Sequence, residues 1–157
     1  MAFTIGNLYQ QKNQIDSAIV YYLLSDTYLP EEKEGMKNLL VCFMQKKRWK
    51  EAEITTGNLL NLEIKDVIMF QDILSIFDTH QANEKFAEIL KSQLNINPND
   101  KQRNGYLKLY LASVYFDLNR NEAKNWLLQS ENDFKICYDM DHPVFVTIGK
   151  LNNQLNK

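Results

Sequence analysis

Gly6-Asn7-Leu8-Tyr9, then Ala18-Ile19, then Tyr22, then Pro30: this spaced stretch decides how the whole chain is read. Working outward from it, Tyr9, Phe43 and Phe77 stand 34 residues apart. So do Gly6, Leu40 and Leu74; Pro30, Ile64 and Pro98; and Ala18, Ala52 and Phe86. Thirty-four residues make one helix–turn–helix unit, so the period predicts stacked helical hairpins. In such an array each hairpin buries its apolar face only against its neighbours, which leaves an extended surface in place of a catalytic pocket.

Apolar periodicity sets the segments. Ile5, Leu8 and Tyr9 begin a first helix that ends near Lys12-Asn13. A second runs from about Gln14 to Tyr28 with Ala18, Ile19 and Tyr22 inward, stopping before Pro30 because proline disfavours helix in the preceding residue. A third spans roughly Glu31 to Lys46, its Glu31 and Glu32 suiting the positive end of the helix dipole. Trp49 to Leu62, Lys65 to Thr79 and Asn83 to Leu94 follow, closed by the turn cluster Asn95-Ile96-Asn97-Pro98-Asn99-Asp100. There the register slips: Tyr115 lies 38 residues after Phe77, and Ala123 follows Tyr115 by eight residues instead of nine. The slip predicts a seventh helix from about Asp100 to Leu118, longer by about one turn of 3.6 residues and projecting beyond the stack. Asp141-His142-Pro143 opens a last helix through Phe145, Ile148 and Leu151, with a polar cap and a proline in its first turn. The expectation is an all-α α-solenoid of about four hairpins (1–32, 33–66, 67–100 and 101–138) with a C-terminal capping helix over 141–155, one domain across 1–157. Tyr9, Phe43 and Phe77 are expected to be buried between neighbouring hairpins.

Composition narrows the class. A net charge of −2 argues against nucleic acid as a partner, since phosphate-neutralising domains carry a basic excess. The two cysteines, Cys42 and Cys137, imply no disulfide scaffold and fit a reducing compartment. Cys42 sits on the apolar stripe of its segment, where Leu8 and Ile76 take the equivalent places one period away, and reads as a small buried apolar residue. No apolar run approaches the roughly 20 residues that span a bilayer, and Met1-Ala2-Phe3 does not open a signal peptide. A cytoplasmic location without a membrane partner is expected.

The first unit closely resembles the tetratricopeptide repeat (TPR), whose pattern asks for a small residue and an aromatic in the first helix, an alanine early in the second and a proline after it. The second unit matches through Phe43 and Trp49-Lys50-Glu51-Ala52, the third through Phe77, Leu90 and Pro98 with Phe86 in place of the alanine. The fourth matches through Leu111-Ala112-Ser113-Val114-Tyr115, Ala123 and Leu127. By the register of this family the first helix would begin about two residues before Met1, which fits either a natural end or a segment of a longer chain.

The resemblance implies a non-enzymatic scaffold that holds a peptide or helical segment of another protein, with a peptide-sensing domain of a transcriptional or signalling regulator as the alternative. The inner face would be lined by the first helix of each hairpin: Phe3, Asn7, Gln10 and Gln11; Lys37, Asn38, Val41, Met44 and Gln45; Gln71, Asp72 and Ser75. Side-chain amides both donate and accept, so they can pair with the backbone of an extended peptide. Some family members hold the carboxylate of an acidic chaperone tail with two asparagines and three basic residues. Here Asn7 and Asn38 take the asparagine places, but Phe3, Ile68 and Asp72 take the basic ones, so no appreciable binding of such tails is expected.

No phosphate loop, nucleophile elbow or HExxH pattern occurs, and no cofactor or metal is expected. Asp139, Asp141 and His142 can be drawn as a metal triad, but helix capping accounts for them more simply. Lys46, Lys47, Arg48 and Lys50 read either as a docking patch for an acidic partner or as a solvated turn.

Overall fold

Hydrogen bonding within each apolar-periodic segment produces helix throughout. The computed structural model describes residues 1–29 and 32–157, and among them it contains nine α-helices and no strand. They are α1 (Ala2–Gln11), α2 (Ile15–Tyr28), α3 (Lys33–Gln45), α4 (Trp49–Leu62), α5 (Val67–Thr79), α6 (Asn83–Leu94), α7 (Lys101–Leu118), α8 (Arg120–Cys137) and α9 (Pro143–Leu155). The stop at Pro30 and the helix start at Glu31 lie outside the described residues.

The starts of α5, α7 and α9 are fixed by side chains that satisfy free N–H groups of the first turn. Asp66 accepts from the Met69 N–H at 2.9 Å, Asp100 from the Arg103 N–H at 2.9 Å, and His142 Nδ1 from the Val144 N–H at 3.3 Å. Asp66 serves as the cap of α5, which therefore starts later than the expected Lys65.

The chain divides into two compact units, Met1–Gln81 and Ala82–Lys157. In the first, α1 packs on α2, α2 on α3, and α3 on both α4 and α5. Gly6 permits the closest approach. A Cβ there would stand 2.7 Å from two ring carbons of the buried Tyr22, so only a glycine lets the α1 backbone rest on that ring. The link from α1 to α2 and the link from α3 to α4 are built alike. Asn13 and Lys47 both sit at φ 56°, Gln14 N–H donates to Tyr9 C=O and Arg48 N–H to Phe43 C=O, both at 2.9 Å. Asn13 N–H donates to Gln10 C=O and Lys47 N–H to Met44 C=O. This pair of bonds around a left-handed residue is the Schellman ending of a helix. After α5 the same conformation returns at Gln81, φ 54°, with its N–H on Asp78 C=O. Asn13, Lys47 and Gln81 are spaced by 34, so the period seen in the apolar residues is also a period of the backbone.

Phe43 and Phe77 are buried as expected, but Tyr9 is only half-buried. Its ring stacks on Tyr21 with centroids 5.2 Å apart. In this unit α1 packs chiefly on α2, whereas Phe43 belongs to a helix covered by α2, α4 and α5. Leu8 is exposed for the same reason while Cys42, its equivalent on α3, is fully buried.

In the second unit α7 packs on α6 and, over its whole length, on α8, and α9 lies against α8 and α7. At 18 residues α7 is longer than the 13 of α3 or α5, as the register slip implies. The added turn does not project, which corrects the expectation: Arg103, Asn104, Gly105, Tyr106 and Leu107 are all buried. The physical reason is that α8 is equally long, 18 residues, and covers it. Gly105 repeats the device of Gly6, with a Cβ placed 2.7 Å from the Phe134 ring. The link between the two helices shrinks to the single residue Asn119, in extended conformation, which ends α7 and caps α8 by accepting from the Asn121 and Glu122 N–H groups. That shortened link is why Ala123 falls early. Val144, Ile148 and Leu155 of α9 are buried in this unit.

Candidate functional site

The expected inner-face residues gather on α1, α3 and α5 of the first unit. Their hub is the Tyr22 hydroxyl, which lies 2.6 Å from Asn7 Oδ1 and 2.5 Å from Gln10 Oε1. Asn38 Nδ2 donates to the same Asn7 oxygen at 3.0 Å. A hydroxyl has one proton to give, so the two amide oxygens of Asn7 and Gln10 share it as alternative acceptors. Burial pushes the Tyr22 hydroxyl up to about 12, with Cys42 adding to the shift and Asn38 opposing it. It stays a neutral hydrogen-bonding post at physiological pH.

Charges tie α3 to its neighbours beside this network. Lys37 Nζ reaches Asp72 at 2.7 Å and Glu34 at 2.6 Å, and Lys33 Nζ reaches Glu63 at 2.8 Å and Asp66 at 3.0 Å. Desolvation alone would lower the Lys37 pKa, but the two carboxylates outweigh it and the net shift is upward. The Met69 N–H and Lys33 hold Asp66 below its ordinary range.

Of the expected site residues, Asn7, Gln10, Lys37 and Asn38 are half-buried and engaged as described. Gln11, Gln45, Gln71 and Ser75 are exposed, and Val41 is half-buried between the two groups. Met44 is buried and does not line an accessible face, a correction. It sits on the part of α3 that turns into the core with Leu40 and Phe43. The sequence reading missed Tyr22 as the hub and Asp72 as the partner of Lys37. The signal was present: 35 residues separate Lys37 from Asp72, one more than the repeat, so the pair spans equivalent surfaces of α3 and α5.

At 3.6 residues per turn, Met36, Leu39 and Phe43 lie across α3 from Lys37, Asn38 and Val41. There they floor a cleft of about 190 Å³ between α2 and α4, completed by Leu23, Asp26, Glu51, Ile54, Thr55 and Asn58.

Burial raises the Cys42 thiol to about 11, which keeps it protonated and unreactive. Among the described residues no group of three His, Cys, Asp or Glu side chains could hold a metal ion, and no helix is long and apolar enough to cross a membrane. His142 caps α9 and stacks on Tyr138 with ring centroids 3.8 Å apart. In the basic cluster, Lys46 pairs with Asp16 at 2.8 Å, and Arg48 pairs with Glu51 while lying over the Phe43 ring.

With this geometry in place, comparison with known proteins adds no relative: no family model matches the chain, and no curated protein matches it at a significant level.

Proposed function

We propose that the chain is a non-enzymatic interaction scaffold of TPR-like hairpins, working in the cytoplasm, that binds a peptide or helical segment of another protein. The observation that carries this reading is the return of one left-handed turn at Asn13, Lys47 and Gln81, in step with the 34-residue period of the apolar positions. A repeated backbone with no repeated chemistry suits an extended contact surface. On α1 and α3 the inner layer of Asn7, Gln10 and Asn38 is tied into one network with Tyr22. The face of α1, α3 and α5 presents Gln11, Gln45, Gln71 and Ser75 outward as adaptable donors and acceptors. The buried, protonated Cys42 is no nucleophile.

The test is selection from a random peptide library, followed by amide-shift mapping of the selected peptides on the isotope-labelled chain. Shifts centred on Gln11, Gln45, Gln71 and Ser75 are expected. Failure to select any binder overturns the reading. Acidic peptides with a free terminal carboxylate should not be selected, because the only cation held among these residues, Lys37, is already shared by two carboxylates. Micromolar binding of such a peptide, lost when its end is amidated, would contradict that.

A further inference from the structure

We infer that the cleft between α2 and α4, on the other side of α3, is a second docking site, one that seats a single aromatic side chain of a basic peptide. The inference does not rest on how the face of α1, α3 and α5 is used. The floor is apolar and preformed: Met36, Leu39 and Phe43 are buried side chains of α3. The rim is apolar and wet, with Leu23 46% and Ile54 54% exposed. Exposed leucine and isoleucine on facing helices, over a floor of core residues, make an apolar cleft of the kind that receives an apolar side chain. Size selects that group. The cleft holds about 190 Å³, and a cavity of roughly 150 Å³ already accommodates a benzene ring.

Charge selects the neighbour of the ring. Two carboxylates, Asp26 and Glu51, line the cleft, and the Arg48 guanidinium lies over the Phe43 ring of its floor. Glu51 is held by Arg48 at 2.7 Å. Asp26 and Glu32, which both border Met36 and Leu39, form no ion pair among the described residues. The complementary occupant is a segment of another protein in which phenylalanine stands within two or three residues of lysine or arginine.

The probe is the blocked pentapeptide acetyl-Lys-Ala-Phe-Ala-Lys-amide, titrated into the full isotope-labelled chain in the millimolar range. Saturable amide shifts are expected at Leu23, Phe43, Ile54 and Asn58. Replacing the peptide phenylalanine with alanine should weaken binding at least about tenfold, as for an anchor residue. Asp26→Lys should weaken it by roughly three- to fivefold, the scale of an exposed ion pair. Leu23→Asp, at an exposed position, should abolish the shifts while leaving the helical spectrum and melting temperature unchanged. Equal binding of the alanine peptide, or shifts confined to α1, α3 and α5, overturns the inference. In the second case the proposed function still stands. Sedimentation of the free chain supplies the other arm: a dimer that Leu23→Asp dissolves would mean that a second copy fills the cleft, and would overturn the peptide assignment.

Discussion

Lys37 in the first unit and Lys108 in the second are equally exposed, 17% of the side chain in each case, and both are held by carboxylates on another helix. Their partners differ. Lys37 faces Asp72 and Glu34, which are 44% and 65% exposed, whereas Lys108 faces Asp133, which is 7% exposed and also pairs with Lys101. The same contrast runs through both units. The first links successive short helices with solvent-side charges and repeats one turn at a fixed interval. The second buries its polar groups along the long α7: Arg103 donates to the Gln93 backbone carbonyl and side-chain oxygen on α6, Asn104 to the carbonyls of Asn97 and Pro98 in the preceding turn, and Ser130 of α8 to the Gly105 carbonyl. What decides the worth of an ion pair is the burial of its less exposed member, because that group has no water to fall back on.

The largest expected effect puts both units on one scale. Phe43→Ala and Phe134→Ala each empty a buried aromatic site and should each cost about 3–5 kcal/mol, read by chemical denaturation. A much smaller loss for Phe43 would mean that the repeated unit relaxes around the hole. Next, Lys108→Met should cost about 2–4 kcal/mol by leaving a buried carboxylate with only Lys101, 3.4 Å away. Lys37→Met should cost no more than about 1 kcal/mol, since its carboxylates are solvated. Equal losses from the two lysine variants would break the comparison.

Backbone approach gives a smaller effect. Gly105→Ala forces a methyl into the Phe134 ring and should cost about 1–3 kcal/mol. Gly149→Ala, where nothing lies within 4 Å, should stabilise the chain by about 0.5–1 kcal/mol through helix propensity alone. The smallest effect tests the repeated turn. Lys47→Gly relieves a left-handed lysine and should raise stability by about 0.5–1 kcal/mol in thermal melts. A loss there would mean that the Lys47 side chain contributes something its exposed position does not suggest.

Much of the all-helical architecture is legible in the sequence. Trp49–Leu62 and Asn83–Leu94 were read with the bounds observed, and the long α7 followed from a four-residue slip in register. The candidate site was legible only in part. Asn7, Gln10 and Asn38 are joined in one network with Tyr22, but Met44 turns inward and Tyr9 is only half-covered. An apolar stripe tells which way a side chain points on its own helix. How much of it is covered depends on how many other helices arrive.

By itself, then, the sequence determined the helices, their order and the 34-residue interval, because helical hydrogen bonds reach only four residues and leave a local imprint. The left-handed turns were hidden: Asn13, Lys47 and Gln81 share no residue type, and none is the glycine that usually marks such a turn. Tertiary structure alone decided that Asn7 of α1 accepts from both Tyr22 of α2 and Asn38 of α3, that Asp133 is buried beside Lys108, and that α2 and α4 stand far enough apart to leave a cleft over Phe43. Each of these depends on distances between segments remote in the chain, which only packing sets.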